Sequence, residues 1–106
     1  MGNFGLFVRF TLKEGTAADF DALVRETAEA IRAKEPGTLI YVCHEVDGAP
    51  SERVFYELYA DHDAFEEHER QPHTRHFLSE RTKYVTKTQV DRLSPYAGNN
   101  PTEVGQ

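Results

Sequence analysis

Residues 4–12, FGLFVRFTL, alternate so that Phe4, Leu6, Val8, Phe10 and Leu12 fall on one face and Phe7, Arg9 and Thr11 on the other. That period of two predicts a strand with one wholly apolar side. Glu14 and Gly15 interrupt it, and Thr16 with Asp19 three positions on reads as an N-terminal capping pair. The apolar spacing then lengthens to three and four. Phe20, Leu23, Val24, Thr27 and Ile31 form one stripe of a helix over 17–34, with Asp21, Arg25, Glu29 and Arg32 turned toward water. Pro36-Gly37 ends that helix. Alternation returns in 38–46, TLIYVCHEV, with Ile40, Val42, His44 and Val46 opposed to Leu39, Tyr41, Cys43 and Glu45. Asp47-Gly48 opens a six-residue turn that also holds Pro50 and Ser51, so a hairpin into a third strand over 53–60 is expected.

The third strand is apolar or aromatic on both sides, Val54, Tyr56 and Leu58 against Phe55, Glu57 and Tyr59. Such a strand needs cover on both faces. Two helices cover only one side of a small sheet, so a second copy of the chain is expected on the other. Asp61 or Asp63 caps the next helix, whose inward stripe is Ala64, Phe65 and His68. Pro72 suits the first position of a further helical segment that sets His73, His76 and Phe77 on one side. A more polar last strand is expected over 84–93, YVTKTQVDRL, before an arm or disordered tail over 94–106. The order strand, helix, strand, strand, helical segment, strand defines an α+β class. It is the ferredoxin-like split βαβ arrangement over 4–93, one antiparallel four-stranded sheet with its helices on one face.

The chain of 106 residues is large enough for one core. A cavity must therefore be carved from that core or shared with a second copy. Acidic residues number 18 against 12 Lys and Arg, a net charge of -6, and no basic cluster exists. Nucleic acid is excluded as a partner on that balance, since phosphate binding depends on grouped cations. No window reaches the roughly 20 apolar residues of a spanning helix, and the N-terminus lacks the apolar core of a signal peptide. No membrane association and a cytoplasmic location are expected. Cys43 is the single cysteine, which forbids an internal disulfide and fits a reducing compartment.

The chemistry gathers in 55–73, FYELYADHDAFEEHERQPH. Glu57 is a carboxylate in the middle of an aromatic strand. Buried there it must be paired or have its pKa raised, and a raised pKa suits a general base or acid. The plainer alternative is a solvated Glu57, or one paired with Arg9 or Lys87 across the sheet. His68 lies three positions after Phe65 on the same inward stripe; it is either a hydrogen-bonded core residue or a catalytic imidazole facing Glu57. His68, His73 and His76 make an H-x4-H-x2-H series, but Pro72 breaks the helix between the first and the others, so no metal is expected. Cys43 and His44 are strand neighbours on opposite faces and cannot act as nucleophile and base. No glycine-rich phosphate loop, serine elbow or nucleotide fingerprint is present.

The run EPGTLIYVCHEV at 35–46 followed by FYELYADHDAFEEHERQPHTRHF at 55–77 resembles the antibiotic biosynthesis monooxygenase family of quinol monooxygenase-like proteins. The resemblance covers about residues 4–92, and its most specific part is Glu57, Tyr59, Ala64, Phe65, His68 and His73 behind Pro36-Gly37. It implies a homodimer in which two sheets close a dimeric α+β barrel. It also implies oxygenation of a small phenolic or quinol-type aromatic substrate by O2 with no flavin, haem or metal cofactor. Glu57 and His68 then carry the proton transfers, with Tyr59, Phe65, His73 and Phe77 lining the substrate pocket. Haem-degrading relatives use a tryptophan beside the porphyrin, and this chain has none. Two alternatives stay open on the same scaffold: an isomerase of a small phosphorylated signalling sugar, and a non-catalytic binding dimer in which Glu57 and His68 satisfy each other. The decisive expectation is that the strand carboxylate and the helix imidazole meet in one water-poor hollow.

Overall fold

The computed structural model describes residues 2–99. Four strands, β1 (Phe4–Leu12), β2 (Thr38–Val46), β3 (Ala49–Tyr59) and β4 (Val85–Leu93), form one antiparallel sheet in the order β2-β3-β1-β4. Helix α1 (Ala17–Lys34) joins β1 to β2; α2 (His62–Arg70), α3 (Pro72–Glu80) and a single 3-10 turn at Arg81–Lys83 join β3 to β4. This is the expected ferredoxin-like α+β arrangement. The tail expectation beyond residue 99 lies outside the described residues, and Tyr96 within the described part is almost fully exposed.

Alternation dictates which side of the sheet is covered. Leu6, Val8, Phe10 and Leu12 of β1 and Phe55 and Tyr59 of β3 are buried beneath Phe20, Leu23 and Val24 of α1 and Phe77 of α3. Their rings meet edge to face, Phe10 against Phe20 at 5.5 Å and against Phe55 at 4.9 Å between centroids, the geometry that aromatic quadrupoles favour. Each such fully buried ring contributes about 1.5–3 kcal/mol relative to an exposed one. Every residue of the α1 stripe is buried, which is why the helix survives without a side-chain cap. Among the described residues no helix lies on the opposite side of the sheet, and Phe7 and Val42 stand open there.

Three local expectations are corrected. Thr16 does not cap α1, because its hydroxyl donates instead to the Lys13 carbonyl at 2.7 Å. The hairpin turn is not six residues long: Val46 pairs with Ala49, leaving Asp47 and Gly48, the latter at φ +80°, a value that glycine adopts without strain. β3 therefore starts at Ala49 and contains Pro50. It tolerates the proline because pairing with β1 extends only to Glu52, and the β2 ladder is irregular between Glu45 and Val46. On α3 the buried residues are Thr74 and Phe77, and His76 is exposed.

Candidate functional site

Between the sheet and the α2-α3 pair lies a cavity of about 290 Å³. Leu6, Val8 and Phe55 form its apolar floor, Phe65 and Phe77 its helix-side wall, and Glu57 and His68 supply polar groups. The backbone dictates this meeting. Glu57 pairs with Leu6, so it points to the helix-covered side, whereas Arg9 points to the other and bonds Glu52 at 2.8 Å. The pairing of Glu57 with Arg9 or Lys87 is thereby excluded. α2 begins where the Asp61 carboxylate accepts the Ala64 N–H at 2.8 Å, and its one buried residue is His68. Glycine at 37 lets α2 settle here, since a Cβ on Gly37 would sit 2.7 Å from the Ala64 Cβ.

Glu57 accepts a 2.5 Å hydrogen bond from the Tyr59 hydroxyl. Burial raises its pKa; the Tyr59 bond and the His68 imidazole only partly offset that, and the carboxylates of Glu35 and Glu69 reinforce it. Tyr59 stands behind Glu57 and is not part of the cavity wall. Its own pKa is pushed up, by burial first and then by Glu57, so it is a fixed proton donor to the carboxylate.

His68 does not bond Glu57. Its Nδ1 lies 2.8 Å from Oε1 of Glu35, a residue that the sequence reading passed over as part of the helix stop. Glu35 is the C-cap of α1, left non-helical at φ -125°, ψ 79° by the proline that follows. That conformation turns its side chain inward, where it is 5% exposed. Thr38 donates to Oε1 at 2.7 Å, and His73 Nε2 bonds Oε2. Burial acts to raise the Glu35 pKa, but the hydrogen bonds from His68, Thr38 and His73 outweigh it and the net direction is down. Glu35 is accordingly an anion that only accepts. The proton of the His68 bond then sits on Nδ1, and that of the His73 bond on Nε2.

Among the described residues every fully buried side-chain nitrogen or oxygen has a hydrogen-bond partner. His68 Nε2 has none, nor has the second oxygen of Glu57, so both reach open space, and the space these two buried residues border is the cavity. The His68 nitrogen that Glu35 does not hold and the second oxygen of Glu57 thus face one aromatic-walled hollow. His73 lies outside it, in a groove between α1 and α3 beside Lys34 and His76. The three histidines do not converge, and among the described residues no three His, Cys, Asp or Glu side chains are placed to hold a metal ion.

Sheet order, helix placement and an aromatic-walled hollow define a ferredoxin-like α+β protein with a cavity between its sheet and its helices. The chain belongs to the antibiotic biosynthesis monooxygenase family, whose model matches residues 3–80. No protein of curated function matches it. Among solved structures, a Caulobacter crescentus protein provisionally named an antibiotic biosynthesis monooxygenase superposes with TM-score 0.86 at 21% identity, covering 91% of this chain and 92% of its own. Rv0793 of Mycobacterium tuberculosis gives 0.85 at 22% over 92% and 99%, and PA3566 of Pseudomonas aeruginosa gives 0.84 at 22% over 92% and 97%. At these identities the likeness is one of fold. No helix among the described residues is long and apolar enough to cross a membrane.

Proposed function

We propose that this chain is a monooxygenase that oxidises a small phenolic or quinol-type aromatic compound with O2, the substrate itself supplying all the electrons. The observation that carries this reading is the placement of His68: Glu35 holds its Nδ1–H and leaves Nε2 facing an aromatic-walled cavity. The reading keeps His68 as a proton-handling residue, adds Glu35 as its positioning residue, and gives Glu57 the role of a second, more readily protonated carboxyl. His68 Nε2 takes the phenolic proton and Glu35 stabilises the imidazolium. The phenolate passes one electron to O2, and the radical pair recombines at a ring carbon. The resulting peroxide takes the proton back from His68; it then loses the ring hydrogen and its outer oxygen as water to leave a quinone. Substrate plus O2 gives quinone plus water, with no external reductant. The apolar walls keep water from the radical pair. Phe65 and Phe77 face the substrate, while Tyr59 acts through Glu57 and His73 through Glu35.

Oxygen uptake with a panel of hydroquinones and naphthols tests the assignment. Loss of a general base costs about 10²–10⁴-fold, so His68→Ala is expected to fall by that much and Glu35→Gln to follow it, with Glu57→Gln less affected. Equal uptake by all four proteins would remove these residues from the chemistry. The reading includes a homodimer through the uncovered sheet face, where Phe7 and Val42 lie; sedimentation should give twice the 12.1 kDa chain mass.

A further inference from the structure

A tyrosine to which the proposed reaction gives no part also borders the cavity. Tyr41 of β2 lines the hollow. Strand register brings it there: Tyr41 pairs with Glu57 and Glu57 with Leu6, so the three stand in one row on the helix-covered face. Directly opposed side chains on neighbouring strands have Cβ atoms about 4.5–5.5 Å apart, which sets the tyrosine beside the carboxylate. Its ring packs on Phe55 at 5.8 Å and on the His68 imidazole at 5.9 Å between centroids. The sequence reading placed Tyr41 on the same strand face as Cys43 but gave it no chemistry.

The two tyrosine hydroxyls near Glu57 are used differently. That of Tyr59 is tied to the carboxylate at 2.5 Å. That of Tyr41 has no hydrogen-bond partner among the described residues. Because every fully buried side-chain oxygen or nitrogen there does have one, the Tyr41 oxygen keeps some open surface. The oxygen is nevertheless deep, since burial is the first cause that raises the Tyr41 pKa, ahead of Glu57, Cys43 and Glu35. Open space beside a deep oxygen on the wall of the hollow is the hollow itself. The same causes keep the group protonated, so it stays an O–H donor.

A phenol oxygen is a donor and an acceptor at once, and so complements a ring nitrogen and a hydroxyl set side by side. Its O–H meets Nε2 of His68, the nitrogen that Glu35 does not hold, and its lone pair takes the Tyr41 proton. Once His68 has removed the phenolic proton, a negative oxygen is left among aromatic walls, where an unmatched charge is costly. A donor already aimed at that oxygen strengthens as the charge develops. We propose that Tyr41 is a catalytic residue, its hydroxyl donating to the substrate's phenol oxygen and holding it as the phenolate forms. In that step the substrate O–H bond breaks and an N–H bond forms on His68 Nε2. The electron pair stays on the substrate oxygen, and the Tyr41 O–H bond remains intact. This role rests on the proposed reading of the cavity as the substrate site with His68 as its base.

Tyr41→Phe in the full chain keeps the ring contacts and removes only an oxygen without a protein partner, so urea unfolding should find it at least as stable as native. The probe is 4-nitrophenol, too electron-poor to reduce O2 and visibly absorbing when ionised; nitrobenzene is its match without the hydroxyl. At one neutral pH the bound probe should be more ionised than the free probe in the native protein. Its ratio of ionised to neutral form should fall about tenfold or more in Tyr41→Phe, as a bond to a charged oxygen exceeds one to a neutral oxygen. Glu57, Glu35, Cys43 and His68, the titratable groups around the hydroxyl, are the same in both proteins, so the difference reports the hydroxyl. Nitrobenzene affinity, which reports an intact cavity, should move less than about threefold because the apolar contact is unchanged. In oxygen uptake kcat should fall about 10²–10³-fold, the cost of one oxyanion donor, with KM moving less. An unchanged ionised fraction, a native protein that binds neither probe, or a variant that is less stable or loses nitrobenzene overturns the proposal. A lowered ionised fraction in a protein that takes up no O2 with any phenol leaves Tyr41 as the donor and removes the monooxygenase reading. Oxygen uptake that Tyr41→Phe leaves unchanged does the reverse.

Discussion

Glu35 and Glu57 are both nearly inaccessible carboxylates on the same side of the sheet, and both act electrostatically on or beside His68. Their surroundings differ in donor count and in how deeply the carboxyl is packed, Glu57 the deeper of the two. Glu35 receives hydrogen bonds from Thr38, His68 and His73, enough to outweigh the cost of burial and hold it ionised. Glu57 receives one, from Tyr59, and burial wins. Whether an interior acid is a charge or a proton carrier is therefore decided by its depth of burial set against the number of N–H and O–H groups aimed at it. One of the two is built to stay an anion and orient an imidazole. The other is built to change its protonation.

The largest test of that contrast is to delete the better-solvated anion. Glu35→Ala leaves two imidazoles and a hydroxyl without their shared acceptor, and breaking a buried charge network of this kind costs about 3–5 kcal/mol. Urea unfolding should show that loss, and Glu57→Ala a smaller one; equal losses would mean the two acids are structurally equivalent. A second test moves His68 without touching either acid. Gly37→Ala places a methyl 2.7 Å from the Ala64 Cβ and must push the start of α2 outward. Overpacking of that kind costs about 1–3 kcal/mol, and the displaced His68 should lose its bond to Glu35. The ring proton on Nδ1 is expected as a downfield NMR resonance in the native protein and should broaden or shift in the variant; an unchanged resonance in a destabilised variant would show that the clamp tolerates the helix shift.

The sequence made the fold legible because its two periods are clean. Alternation in β1 and the three-and-four spacing of Phe20, Leu23, Val24, Thr27 and Ile31 each report one buried face, and those faces match. The cavity side of β3 was legible for the same reason, since Phe55, Glu57 and Tyr59 share a parity. Glu35 was not. It precedes a proline at a helix end, and nothing local tells whether a residue in the irregular backbone there points in or out. Its partners His68 and His73 stand 33 and 38 positions away, a separation at which spacing rules carry no information. The expectation that Glu57 and His68 share one hollow agrees with the cavity both residues border, whereas the hydrogen-bonded partner of His68, Glu35, was not legible. The hairpin erred for a different reason: Pro50 is a sound signal against a central strand, but the end of β3 runs past its β1 neighbour, where a missing N–H costs nothing.

The smallest effect is the most specific to the contrast, because the two acids pull stability in opposite directions with pH. For Glu35 the folded pKa lies below the ordinary carboxyl value of 4.5, so its contribution is fully present above that value and is lost as pH falls through the folded pKa. For Glu57 the folded pKa lies above 4.5, so the folded state binds its proton more tightly than the unfolded chain does. Its ionisation costs stability at neutral pH, and that cost fades as pH falls through the folded pKa toward 4.5. In the native protein the two slopes partly cancel. Glu57→Gln, which keeps an acceptor for Tyr59, should be more stable than native at pH 7.5, approach it near pH 4.5, and fall off more steeply on acidification. Glu35→Gln should show the shallower acid limb. The difference in unfolding free energy between each variant and native, followed from pH 7.5 to 4 in urea, isolates the two carboxyls from Glu52 and Glu80, whose lowered pKa values are common to all three proteins. A Glu57→Gln difference that is flat across this range, or of the opposite sign at neutral pH, would mean that Glu57 is an ion as well solvated as Glu35 is well bonded, and the two interior acids would no longer be distinct.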